Sequence, residues 1–309
     1  MWNTIRSLQT ARSHPATVSY KGMIYVIGGG GPNFLSLDTI EIYDPNSDVW
    51  SWGRPMPTQR SGAVAALVGD KIYVIGGGYK KPDGKFRFLP TVEIYNPEKD
   101  TWETGPDMIM PHDYPGVAVS GKEIYIMGGH HPDATEGGPS KDPGFAFCEK
   151  LNVEERGWVE IAPLPVPRFA LKGAVSGRKI LATGGVAFTG KCLTEYDLID
   201  IYDRVSNSWT KENGFSLPWP AAAHGVCIHK GRMHIFGGYS TDGIHTRAAY
   251  YDQDDKEWKR PPDIDKPRAA MGVESIEDTI YLIGGWESDG RTVMDTVASL
   301  HIPTQFLSL

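Results

Sequence analysis

The stretch Lys71-Ile72-Tyr73-Val74-Ile75-Gly76-Gly77, followed by Val92-Glu93-Ile94-Tyr95-Asn96-Pro97 and then Trp102, decides the fold of this 309-residue chain. An apolar, β-branched run that ends in two glycines reads as a buried strand, stopped where the backbone must turn or pass close to another chain segment. The pattern recurs six times, at Gly28-Gly29, Gly76-Gly77, Gly128-Gly129, Gly184-Gly185, Gly237-Gly238 and Gly284-Gly285, in steps of 48, 52, 56, 53 and 47 residues. Repeats of that length are stacked supersecondary units, none of which can bury both of its own faces.

The other landmarks keep the same beat. A Trp follows a turn-forming Asp or Asn by six residues five times, from Asp44 to Trp50, Asn96 to Trp102, Asn152 to Trp158, Asp203 to Trp209 and Asp252 to Trp258. The sixth repeat runs to Leu300-His301 without a Trp. Its Trp stands at the other end of the chain: Trp2 precedes Arg12 by ten residues and Arg12 precedes Gly28 by sixteen, the same intervals as Trp50 to Arg60 and Arg60 to Gly76. The segment Trp2 to Leu8 is therefore expected to form the outer strand of the last unit and so close a ring. The fold expected is all-β, a six-bladed β-propeller of four-stranded antiparallel blades. It forms one domain over 1–309, with blades at about 12–52, 60–104, 112–160, 168–211, 221–260, and 268–302 joined by 2–8. The Trp side chains are expected to pack between blades.

On these landmarks the chain resembles the kelch-repeat propellers from Trp2 to about His301, most closely at 71–77 and 92–102. The resemblance implies the fold. It leaves function open, because propellers of this family serve as binding domains, scaffolds and enzymes.

Composition narrows the field. The 36 Gly and 23 Pro punctuate turns, and 40% hydrophobic residues suffice for a sizeable core. A formal net charge of −7 argues against a general nucleic-acid binder. No run of 18 apolar residues spans a membrane, and Met1-Trp2-Asn3-Thr4-Ile5-Arg6 holds no apolar signal core, so a cytoplasmic location is expected. Cys148, Cys192 and Cys227 are too few and too far apart for a disulfide framework or a close-set metal motif, and read as reduced, mostly buried thiols. A ring has no free inner edge, so a monomer is expected.

Variation is confined to one span. From Gly-Gly to the Asp-type turn the repeats take 16, 20, 24, 19, 15 and 17 residues. These loops are expected to crown one face and to carry function there. The longest are Tyr79 to Phe88 and His130 to Phe145. Just after the glycines stand Gly30, Gly78-Tyr79, His130, Val186, Tyr239 and Trp286. On the same face, sixteen residues before each Gly pair, stand Arg12, Arg60, His112, Arg168, Ala221 and Arg268. Two readings of the arginines are open. In the first, each holds its loop through backbone carbonyls or a carboxylate; in the second, they form an anion site together. In kelch adaptor proteins arginines at this position hold acidic peptides. The resemblance carries that role to Arg12, Arg60, Arg168 and Arg268, with a gap at Ala221. The candidate ligand-binding set is Arg12, Arg60, His112, Arg168, Arg268, Tyr79, His130, Tyr239 and Trp286, and the leading expectation is a protein or acidic peptide partner.

No catalytic residue, metal or cofactor is assigned. There is no Gly-x-Ser-x-Gly, and no helix follows Gly28 to Gly31 to make a phosphate loop. His130, His131, Asp133 and the His112-Asp113 pair read as solvent-facing loop residues rather than a metal site. His224, His229 and His234, five apart, are read as facing opposite ways. The iron-binding series of kelch-type plant specifier proteins is absent, and six blades argue against the seven-bladed copper oxidases. One enzymatic alternative stands on resemblance: Tyr281 to Trp286 through Asp295-Thr296-Val297 is similar to kelch-type sialic acid mutarotases. That would make a sugar acid the ligand and His112, Asp113, His130 or Glu287 the proton carriers.

Overall fold

The computed structural model describes residues 1–135, 141–190 and 192–303. Within them, six four-stranded antiparallel sheets form a propeller. The first blade runs from the axis outward as Ala16–Tyr20, Met23–Ile27, Ile40–Asp44 and Val49–Gly53. Four more blades follow in the same order. The sixth takes its inner three strands, Gly272–Ile276, Thr279–Ile283 and Val297–His301, from the end of the chain, and its outer strand, Trp2–Ile5, from the beginning. Trp2 pairs with Leu300 and Ile5 with Val297. This outer strand stops short of Leu8, but the Leu8 amide still donates to the Asp295 carbonyl at 2.8 Å.

A strand buried on one face alternates apolar and polar residues; these second strands do not. In Met23–Ile27 the four residues Ile24, Tyr25, Val26 and Ile27 are all buried, because a neighbouring blade covers each face. The core is accordingly a set of seams between blades. Tyr25, Ile27 and Ile40 of the first blade pack with Ile72, Val74 and Tyr95 of the second. Ile24, Val26 and Tyr43 pack on the other side with Tyr281, Ile283 and Val297 of the sixth.

Two sets of bonds repeat around the ring and account for the landmarks. Each Trp indole crosses a seam to a backbone carbonyl of the preceding blade: Trp50 to Arg6, Trp102 to Arg54, Trp158 to Pro106, Trp209 to Ala162, Trp258 to Ser216 and Trp2 to Pro262, all at 2.7–2.9 Å. Each second glycine donates its amide to the carbonyl at the Arg-type position of the next blade, from Gly29 to Arg60 (3.0 Å) around to Gly285 and Arg12 (2.8 Å). The glycines are required here. A Cβ on Gly237, at φ +54°, would stand 2.0 Å from the Arg268 carbonyl oxygen.

A narrower belt surrounds the axis. Two residues after each Arg-type position the backbone turns left-handed, at His14, Gly62, Tyr114, Ala170, Ala223 and Ala270. The amides of Tyr114, Ala170, Ala223, Ala270 and His14 donate to the carbonyls of Gly62, Tyr114, Ala170, Ala223 and Ala270 respectively, at 2.6–3.0 Å. Five blade-to-blade links thus gird the channel and divide a pocket on the loop face from the channel beneath.

Candidate functional site

The loop face is built by the spans of variable length. Three fold as small ribbons, pairing Gly78–Lys80 with Phe86–Phe88, Val186–Phe188 with Leu193–Glu195, and Tyr239–Ser240 with Gly243–Ile244. Residues 136–140 of the third loop lie outside the described residues.

The arginines do not belong to this face, which decides between their two readings. Arg12, Arg60 and Arg168 are fully buried and Arg268 nearly so. Each donates to the carbonyl of the first glycine of its own blade: Arg12 to Gly28 (2.9 Å), Arg60 to Gly76 (3.0 Å), Arg168 to Gly184 (2.8 Å) and Arg268 to Gly284 (2.7 Å). A carboxylate on the third strand neutralises three of them. Arg12 meets Glu41, Arg60 stands 2.9 Å from Glu93, and Arg168 stands 2.7 Å from Asp200. Arg268 has the Thr296 hydroxyl at 2.9 Å instead. At His112 an imidazole does the same work, with Nδ1 2.6 Å from the Gly128 carbonyl and Nε2 3.1 Å from Glu149. The gap at Ala221 is filled from two residues upstream, where the Trp219 indole donates to the Gly237 carbonyl at 3.2 Å. These six groups are clamps on the Gly-Gly turns. Arg12, Arg60, His112, Arg168 and Arg268 are buried beneath the loops, where they hold the turns and are shielded from an anion on the face.

What does open at the axis is a cavity of about 200 Å³ above the belt, lined by rings. The residue after each Arg-type position bonds through its backbone with the residue after each Gly pair: both ways for Phe169 with Val186, Ala222 with Tyr239 and Ala269 with Trp286, and from the His130 amide to the Asp113 carbonyl. Side chains from these two positions and from the belt meet over the channel. His130, Tyr239 and Trp286 of the candidate set line the cavity, with Tyr114, Phe169, Phe86 and Phe88. Tyr79 does not; it turns outward on its ribbon, its hydroxyl 3.5 Å from the Arg87 guanidinium, and Phe86 and Phe88 of the opposite strand reach in. The rings are locked together. His130 stacks between Phe169 (4.1 Å) and Phe88 (5.7 Å), Tyr114 meets its edge at 5.1 Å, and His14 bridges Tyr114 (4.3 Å) to Trp286 (4.5 Å).

The polar groups are few. His130 Nδ1 is held by Asp142, whose other oxygen accepts from the Gly144 amide at 2.8 Å and the His131 amide at 3.2 Å. That arrangement makes Nδ1 the donor and leaves Nε2 facing Asp113, 3.9 Å away. Asp113 is almost fully buried and its Oδ1 has no hydrogen-bond partner. Burial pushes its carboxyl up to about 7, with His130 pulling the other way and Asp142 adding to the rise. Burial holds His14 well below the usual imidazole range, helped by Lys172 and His130. Asp142, twelve residues from His130, carried no spacing signal in the sequence.

Among the described residues no His, Cys, Asp or Glu cluster fits a metal ion. His131 packs edge-on against Phe145, and Asp133 is exposed. The reading of His229 and His234 as facing apart is corrected. The chain reverses between them, which sets their rings 5.7 Å apart on adjacent strands. Nor are the thiols uniformly buried: Cys148 is, Cys227 is half-buried and Cys192 is exposed.

The Kelch motif model matches residues 11–57 and 59–109, the first two blades. Kelch-like protein 15 of Danio rerio is 25% identical over 302 residues, covering 92% of this chain and 46% of that protein. Kelch-like protein 23 of Homo sapiens is 26% identical over 302 residues, covering 96% of this chain and 49% of its own length. Beta-scruin of Limulus polyphemus is 28% identical over 249 residues, 78% of this chain and 26% of that protein. The chain thus spans about half the length of the Kelch-like relatives. The solved structure of YjhT has a TM-score of 0.78 with this one, covering 94% of this chain and 95% of that one at 17% identity, which is a likeness of fold. The Gly-Gly turns with their clamps and the seam-crossing indoles recur in all six units, and the chain is a six-bladed β-propeller that carries Kelch motifs in its first two blades.

Proposed function

We propose that the chain is a binding module that takes a protein ligand on its loop-crowned face and seats one ligand side chain in the axial pocket. The observation that carries this is the pocket itself, a blind apolar recess at the centre of the face, walled by Tyr114, Phe169, Tyr239 and Trp286 and floored by the belt. Anchors buried in central, desolvated aromatic pockets dominate protein interfaces. The Kelch-like relatives support a protein partner at family level. We take the ring to act as a monomer. Random peptides displayed on phage and selected on the wild-type ring provide the test. Enriched peptides should lose at least tenfold in affinity, about 1.4 kcal/mol, on Trp286→Ala and on Tyr239→Ala. Peptides that bind both variants as well as the wild type place the ligand elsewhere.

One cluster favours a second reading. His130, oriented by Asp142, and Asp113, with its carboxyl near 7, could pass a proton at a sugar hemiacetal, which needs only a weak acid and a weak base. His112 and Glu287 drop out as carriers, the first because it is saturated and buried, the second because it does not line the cavity. Exchange of freshly dissolved sialic acid anomers, followed by NMR, decides it. Acceleration lost on His130→Gln supports the reading, and an unaccelerated rate at micromolar protein rejects it.

A further inference from the structure

The pocket has a charge character opposite to the one expected from its arginines. Every guanidinium at the Arg-type position is buried in its clamp and none of them lines the cavity. The charged group enclosed in the wall is a carboxyl, Asp113, with one oxygen that no group of the protein satisfies. A buried acceptor left open costs about 1–3 kcal/mol, and an ionised carboxylate in such an enclosure is stabilised by a cation brought close to it. Around it stand the faces and edges of Tyr114, Phe169, Tyr239 and Trp286, whose ring quadrupoles attract cations. Among the described residues Arg291 is the one lining guanidinium, but it is exposed, where water and salt screen it, whereas Asp113 acts in a low-dielectric enclosure.

From this we infer that the pocket binds the ammonium head of a cationic ligand, caged by the four rings and neutralised by Asp113. The inference rests on the pocket being the ligand site and names what enters it. A cavity of about 200 Å³ has room for a methylated ammonium group. The head arrives either on a free molecule or at the end of a lysine side chain of a protein ligand, and the chemistry of recognition is the same.

Ionisation sets the pH sense. Asp113 feels His130 and Asp142 on the third loop and Tyr114 beside it, and shares the cavity wall with His14 and Arg291, with Lys172 below the belt. A cation needs Asp113 ionised, and burial pushes that carboxyl up to about 7. Affinity therefore rises as pH goes from 6 to 8.

The test uses the intact chain, with Trp286 fluorescence and methyl NMR as readouts. Tetramethylammonium and a trimethyllysine peptide are compared with 3,3-dimethylbutanol, a neutral probe of similar shape. Both cations are expected to bind saturably, more tightly at pH 8 than at pH 6. Asp113→Asn should weaken both by about tenfold or more while leaving the alcohol unchanged. A peptide that far outbinds the free ion assigns the head to a protein ligand; equal binding assigns it to a free molecule. Alcohol binding as tight as cation binding, or full cation binding by Asp113→Asn, overturns the inference and leaves the pocket standing as a site. Failure of all three probes to perturb Trp286, while peptides selected on the face still do, also overturns it. Failure of probes and peptides alike overturns the pocket reading as well.

Discussion

The Arg60 guanidinium donates to the Gly76 carbonyl at 3.0 Å and stands 2.9 Å from the Glu93 carboxylate, with all three groups out of water. Removing one partner of such a pair strands the other. Arg60→Ala should cost about 3–5 kcal/mol, read from urea unfolding. Arg60→Lys should recover only part of it, because a single ammonium cannot replace the fork that spans Gly76, Thr91 and Glu93. Lys71→Ala, which breaks an exposed pair with Glu103, sets the scale at under about 1 kcal/mol. An Arg60→Ala ring as stable as Lys71→Ala would reject the clamp.

Ring closure rests on few residues, so its anchor is expected to be expensive to lose. Trp2 is 4% exposed, donates to the Pro262 carbonyl at 2.9 Å and meets Phe236 edge-on. Trp2→Ala should destabilise by about 3–5 kcal/mol. Trp52→Ala, on a side chain 51% exposed, should change stability by under about 0.5 kcal/mol. Equal melting temperatures for the two variants would show that the terminal strand does not hold the ring.

Two glycines at positive φ separate conformational strain from collision. Gly231 (φ +78°) has open space around a would-be Cβ, so Gly231→Ala bears only the left-handed cost of about 1–2 kcal/mol. Gly237→Ala adds the clash with the Arg268 carbonyl and should lose several times as much, or fail to fold. Denaturant midpoints of the pair measure the difference. Matching values would mean the seam opens freely at that point.

Glu274 faces the channel below the belt, and burial pushes its carboxyl up to about 7 against the hydrogen bonds of Thr17 and Ser19. A carboxyl with a raised folded pKa keeps a proton that the unfolded chain releases. Its contribution to stability therefore falls as pH rises from about 4.5 to about 7, and is flat above that. Glu274→Gln lacks this loss. Relative to wild type the variant should gain about 1–3 kcal/mol between pH 4.5 and pH 8, read from melting temperatures across that range. A constant difference across the range would place the titration of Glu274 at its ordinary value.

The ring was legible because its landmarks are backbone requirements. Gly237 must lack a Cβ, and the Trp indoles must reach carbonyls a blade away, so both recur in register. The arginines were legible in position and misleading in direction. A spacing of sixteen places Arg60 beneath the loops, but only the fold shows the side chain turning inward to Gly76 rather than outward to solvent. Trp219 takes the place of a clamp two residues off register, which no repeat alignment reveals. The pocket was half legible. His130, Tyr239 and Trp286 follow the glycines and were picked out by that, whereas Tyr114, Phe169 and Asp142 enter from turns and a long loop whose paths are set by packing.

A blade made from both ends of the polypeptide imposes an order on biosynthesis. Trp2 is synthesised well before its pairing partner Leu300, with five whole blades made between them. Until then Ile24 and Val26 of the first blade lack the cover of Tyr281 and Ile283, and a growing chain carries that sticky flank throughout elongation. A chain that stops before Thr279 would thus yield not a slightly shorter ring but an open arc with two uncovered ends, a natural substrate for chaperones.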